Sequence, residues 1–137
     1  MNYRITDTPL EQDKDEIFEE LLKYNLAHID CKEVKELGIF LEGKDSKKVA
    51  GLIGETHGNW LAIEYLWVSE VLRGQDIGTE IVNKAEKIAK ERGCKYVFLN
   101  TFSFQAPGFY IKLGYKEVFA LEKYPLTGKR HYFIKTL

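Results

Sequence analysis

The chain has 137 residues, with 20 basic and 21 acidic side chains, a formal charge of -1, 45% hydrophobic and 30% charged residues. That is enough chain for a single domain, residues 1–137, whose core needs no disulfide or metal staple. The balanced charge argues against nucleic acid as a partner, and no window approaches the roughly 18 to 20 apolar residues of a membrane span, so no membrane partner is expected. Cys31 and Cys94 are too few for a disulfide framework and lie at no metal-ligand spacing, so no metal site is predicted. With no apolar signal core at the N-terminus, the chain reads as cytoplasmic.

Residues 2–6 alternate and predict a first strand. Thr8-Pro9-Leu10-Glu11 has the form of a capping box, and Ile17, Phe18, Leu21 and Leu22 form one apolar stripe on a helix predicted over about residues 9–25. Residues 26–36 leave room for a second short helix. Gly38–Glu42 and Val49–Gly54, joined by a polar turn, read as an antiparallel hairpin, and Trp60–Val68 as a third strand after a turn at Gly58-Asn59. From Ile77 onward, Ile81, Val82, Ala85, Ile88 and Ala89 recur with a period near 3.6, and Gly93 stands where a left-handed cap ends a helix. Tyr96–Leu99 is a short β-rich run, so Trp60–Leu99 makes a strand, helix, strand unit with parallel strands. A short helix within residues 105–113 and a closing hairpin, Tyr115–Tyr124 with Lys129–Leu137, complete the chain. The fold class is α+β: a mixed sheet with antiparallel strands first and last, a parallel pair between them and about four flanking helices.

The stretch Leu72–Gly78, LRGQDIG, lies between a strand and the clearest helix. A helix start offers backbone N–H groups without intrahelical acceptors and the positive end of the helix dipole, so it attracts an anion. Gly74 and Gly78 remove β-carbons where a phosphate would approach, Arg73 can add charge and Thr79 a hydroxyl. The same residues also fit a turn glycine, a solvated arginine and a packing glycine. Neither GxxxxGK[ST] nor a GxGxxG after a first strand is present, which argues against a triphosphate loop and a dinucleotide fold.

LAIEYLWVSEVLRGQDIGTEIV followed by QAPGFYIKLGY resembles the GNAT superfamily of N-acetyltransferases, which move an acetyl group from acetyl-coenzyme A to an amine. Arg73, Asp76 and Gly78 stand at the defined positions of the family's coenzyme motif, with Asp76 in place of its usual glycine. The second segment carries Gln105 before Ala106, where the family often has Asn, and Pro107-Gly108 at the start of the helix. The resemblance implies that Arg73, Gly74, Gln75, Asp76, Ile77, Gly78 and Thr79 surround the coenzyme's pyrophosphate. It also implies that Leu66-Trp67-Val68 bonds the pantetheine arm through its backbone, and that Gln105, Pro107 and Tyr110 complete the site. The strand beside the arm would have to part from its parallel neighbour.

Tyr110 matches the family's tyrosine near the coenzyme sulfur, and a phenol can give a proton to the departing thiolate at neutral pH. Glu64, on the nominal face of Leu66 and Val68, is the candidate base for the amine; Glu55, His57 and the carbonyls of residues 66–68 compete, and a β-bulge would change the face of Glu64. The oxyanion donor is expected at the backbone N–H of Trp67 or Val68. Aromatic residues Tyr24, Phe102, Phe104 and Tyr124 are candidates for an acceptor pocket or for core. The expected activity is transfer of acetyl from acetyl-coenzyme A to a primary amine of a small molecule or peptide by direct attack in a ternary complex, and the resemblance admits a homodimer. The alternatives are a non-catalytic acyl-coenzyme A sensor and a fold relative with no coenzyme site.

Overall fold

Six strands form one mixed sheet in the computed structural model, which describes residues 1–137. The strands are β1 (Val34–Glu42), β2 (Lys48–His57), β3 (Trp60–Val68), β4 (Tyr96–Phe102), β5 (Lys116–Glu122) and β6 (Lys129–Thr136). Their spatial order is β1-β2-β3-β4-β6-β5, with β3 and β4 parallel and every other neighbouring pair antiparallel. The α-helices are α1 (Glu11–His28), α2 (Ile77–Glu91) and α3 (Pro107–Lys112), three where the sequence predicted about four. No helix is long and apolar enough to cross a membrane.

The chain divides into two units, Met1–Lys32 and Glu33–Leu137. In the first, residues 2–6 form no strand: alternation is present, but a strand exists only where another pairs with it, and the sheet contains no such partner for them. The helix starts two residues later than the Thr8-Pro9 signal indicated, because Asp13 accepts the Leu10 amide at 3.0 Å and closes the first turn there. Arg4 pairs with the same carboxylate at 2.7 Å. The predicted second helix in residues 26–36 is absent; α1 runs on to His28, and Val34 already belongs to β1.

In the second unit the 3.6-residue period of α2 resolves into one buried stripe, Ile81, Val82, Ala85 and Ala89, facing Leu52, Leu61, Val97, Leu99 and Phe133 of the sheet. Gly93, at φ +90, ends the helix as its position predicted. Glu86 is the charged member of the buried stripe. It accepts a hydrogen bond from the Tyr115 hydroxyl at 2.8 Å and is paired with Lys135 at 2.9 Å, so its charge is buried with partners.

Candidate active site

β3 and β4 pair only over Trp60↔Tyr96, Leu61↔Val97 and Ala62↔Phe98, although β3 continues to Val68 and β4 to Phe102. Beyond Ala62 they part and leave a cleft of about 980 Å³. Along this edge alternate backbone groups of β3 have no strand to bond to, so an amide-bearing chain could complete the ladder. Leu66, Trp67 and Val68 line one side of the cleft, and Leu99, Asn100 and Thr101 the other.

At the open end of β3 a short 3₁₀ turn, Glu70–Leu72, leads into the loop before α2. The amides of Leu72 and Arg73 are used by Ser69 and Glu70, and the first intrahelical bond runs from the Glu80 amide to Asp76 at 3.0 Å. Between them the amides of Gly74, Gln75, Asp76, Ile77, Gly78 and Thr79 have no acceptor within the protein. They lie at the positive end of α2, and open amides at a helix start can bind an anion such as a phosphate group. Gly74 has φ +81 and open space where a side chain would stand. Asp76 occupies the left-handed region as N-cap, φ 61 and ψ 16, with its exposed carboxylate making no capping bond. Asp is among the few residues that accept this conformation. Gly78 fits the packing alternative offered by the sequence: a β-carbon there would lie 3.2 Å from the Phe109 ring, so this glycine lets α2 and α3 approach.

Tyr110, on the other side of the cleft, is 9% exposed and ringed by Phe109, Tyr115 and Phe133. Its hydroxyl has no protein partner, and burial pushes its pKa up to about 12. Open backbone amides at a helix start, a parted parallel pair and a buried phenol thus share one cleft.

Residues 3–115 match the model of the acetyltransferase (GNAT) family. The chain belongs to that family. It is 30% identical over 121 residues to an acetyltransferase of Agrobacterium fabrum, covering 88% of each chain. It is 34% identical over 96 residues to the blasticidin-S acetyltransferase of Streptomyces morookaense, covering 69% of this chain and 71% of that one. The crystal structure of an acetyltransferase from Bacillus cereus superposes with a TM-score of 0.85 at 30% identity, over 98% of both chains. As a GNAT member the chain is an acetyl-coenzyme A-dependent acyltransferase.

In this GNAT cleft most of the residues singled out from the sequence come together. Arg73, Gly74, Asp76, Ile77, Gly78 and Thr79 line it, as do Glu64, Gln105 and Tyr110; the side chains of Gln75 and Pro107 do not. Gln75 turns back to the Val71 carbonyl at 3.4 Å, and Pro107 occupies the first turn of α3. Arg73 gives its Nε–H to the Val68 carbonyl at 3.2 Å, which ties the loop to the end of β3 and leaves the rest of the guanidinium available. Gln105 is partly committed: its Oε1 accepts from Thr101 Oγ1 at 3.0 Å and from the Phe102 amide at 2.7 Å, holding the turn between β4 and α3.

Glu64 is exposed, but not on the face of Leu66 and Val68. The β2–β3 register passes from Ile53↔Tyr65 to Gly54↔Ile63, so Glu64 is the extra residue of a β-bulge. A β-carbon on Gly54 would stand 2.4 Å from the Ala62 carbonyl oxygen, which shows how closely the two backbones approach there. Gly54, inside a strand, was the sequence signal for this bulge.

Phe102, Phe104 and Tyr124 form a second, smaller cavity of about 320 Å³, with stacked rings 5.1 and 5.6 Å apart. Phe104 borders both cavities. The sequence reading missed Asn100, Thr101 and Phe109 in the main cleft, although Phe109 adjoins Tyr110 and could have been inferred from that neighbour.

Proposed function

We propose that the protein transfers acetyl from acetyl-coenzyme A to a primary amine of a small molecule or peptide, by direct attack in a ternary complex. The observation that carries this is the pairing, in one cleft, of the unaccepted amides of Gly74–Thr79 with the unpartnered Tyr110 hydroxyl. The amides and Arg73 hold the pyrophosphate. The free edge of β3 bonds the pantetheine arm. When bound, acetyl-coenzyme A supplies an activated carbonyl carbon and a thiolate leaving group.

Alternate residues of a strand address alternate neighbours, so one of Trp67 and Val68 aims its N–H away from β2, toward the thioester oxygen. Tyr110 keeps its proton at neutral pH and donates a hydrogen bond to the sulfur as charge develops there. With the phenol near 12 and an ordinary thiol near 8.5, full transfer before bond cleavage is uphill by about 5 kcal/mol. The proton therefore moves as the carbon–sulfur bond breaks. Glu64, with Asp76 one of the two acids in the cleft, draws the cationic amine. Likeness to an acetyltransferase of blasticidin-S supports a small-molecule acceptor. The balanced charge and sparse cysteine support a cytoplasmic setting.

Coenzyme A titration with thermal unfolding, followed by thiol release from acetyl-coenzyme A across an amine panel, tests this reading. Stabilisation of about 2.7 kcal/mol is expected at 100 times the dissociation constant, with thiol released only when a suitable amine is present. No stabilisation at millimolar coenzyme, or binding without amine-dependent thiol release, contradicts it.

A further inference from the structure

Tyr110 stands on a helix of 6 residues, too short to fix its own orientation, so the position of its hydroxyl is set from outside α3. At one end of the helix Gln105 closes the turn from β4. At the other end the Tyr115 amide donates to the Tyr110 carbonyl at 3.0 Å. The Tyr115 ring then packs edge-on against the Tyr110 ring, with centroids 5.8 Å apart and planes at 76°. Of the two other rings on Tyr110, Phe109 belongs to the same short helix, whereas Phe133 is fully buried in β6. Tyr115 and Phe133 are therefore the ring contacts that locate the phenol relative to the sheet.

Tyr115 is in turn fixed by charge. Its buried hydroxyl donates to Glu86 Oε2 at 2.8 Å. Lys135 Nζ donates to both oxygens of that carboxylate, at 3.1 and 2.9 Å, and lies 5.4 Å from the centre of the Tyr115 ring. The three groups come from α2, from β6 and from the link between α3 and β5, so the exit of α3 is tied to a helix and to the sheet at one point. Packing alone does not require this. The other buried members of α2 are apolar, and an apolar side chain at position 86 would fill the space without the cost of dehydrating a carboxylate. A carboxylate with two donors fixes direction as well as contact, which apolar packing does not. Burial and the adjacent carboxylate both push the Tyr115 pKa up, so its hydroxyl remains a donor at neutral pH.

We propose that Glu86, Lys135 and Tyr115 form a positioning device for Tyr110, in which Tyr115, held by the carboxylate–ammonium pair, keeps the Tyr110 hydroxyl turned into the coenzyme cleft. This rests on the reading of Tyr110 as proton donor to the coenzyme sulfur. None of the three lines the cleft, so they act on the reaction through Tyr110 and not by touching either substrate.

The experiment measures kcat, KM for acetyl-coenzyme A and coenzyme A affinity, with an accepted amine, in the wild type, Y115F, E86M/K135M, Y110F and the double variant Y110F/Y115F. Y115F keeps the ring and removes the hydroxyl; E86M/K135M replaces the ion pair by apolar chains of similar length. Each should lower kcat by about 10-fold, since a reacting group misplaced by about 1 Å can cost up to about 100-fold. KM and coenzyme A affinity should stay within about twofold, because the coenzyme's own contacts are untouched. In the Y110F background, Y115F should add less than about a twofold further loss, as no hydroxyl is left to position. A general loosening of the fold would act equally in both backgrounds. A further loss of about 10-fold in Y110F/Y115F therefore assigns Tyr115 to structure alone, and unchanged kcat in both Y115F and E86M/K135M removes the cluster from the reaction; either result overturns this inference by itself. Y110F that turns over like the wild type overturns the proton-donor reading and this inference with it, and wild-type protein that binds coenzyme A yet turns over no amine overturns both together with the transfer reading.

Discussion

The two walls of the cleft are built from different materials. The wall before α2 recognises through backbone: its amides at Gly74–Thr79 lie open because a helix start leaves them so, and two left-handed residues, Gly74 and Asp76, shape the loop. The wall formed by β4, α3 and the turn between them presents side chains, Thr101, Gln105, Phe109 and Tyr110. A backbone cradle tolerates most substitutions and binds what every substrate pair has in common. A side-chain wall fails at single positions.

The sharpest way to break this contrast is on the side-chain wall. Y110F should lower kcat by about 100-fold, near 3 kcal/mol, while coenzyme A affinity stays within a few-fold; unchanged turnover would move the sulfur's proton donor elsewhere. Next comes the bulge between β2 and β3. G54A drives a β-carbon onto the Ala62 carbonyl and should cost about 2 kcal/mol in urea unfolding, and an unaltered midpoint would mean that the bulge yields readily.

Alkaline stability probes the burial of Tyr110 itself. The unfolded phenol releases its proton near 10 while the folded one holds on to about 12, so stability is unaffected by this group below pH 9 and falls as pH rises through that window. By pH 11 the loss is about 1.4 kcal/mol, and it should be missing from Y110F; Tyr115, raised in the same direction by burial and by Glu86, remains as background in both proteins. Equal slopes in the two proteins would show Tyr110 to be well solvated.

On the backbone wall the effects should be small. G74A, at φ +81 with open space around it, should cost about 1 kcal/mol through conformation alone. D76G should tighten coenzyme A about two- to fivefold by removing a carboxylate near the anion site; weaker binding would show that Asp76 assists.

This contrast also explains what could be read from sequence. The period of Ile81, Val82, Ala85 and Ala89 and the alternation of the hairpin strands are local, and they resolved into the observed core. The open amides before α2 were legible for the same reason, since a run of consecutive amides leaves its trace in consecutive residues. Residues 2–6 misled because alternation describes a strand's two faces but not its partner. Glu64 was set on the wrong face because a bulge is a property of two strands together, betrayed here only by Gly54 across the ladder. Hydrogen bonds that join distant segments, such as Ser103 to His131 and His131 to Glu117 across 28 and 14 residues, leave no local pattern to read.

The most direct measurement is an amide-resolved NMR titration of the protein with coenzyme A and, separately, with pantetheine, which lacks the diphosphate. The account predicts that the Gly74–Thr79 amides shift strongly with coenzyme A and hardly at all with pantetheine, while the β3 edge responds to both. Loop amides that stay in place under saturating coenzyme A would contradict it.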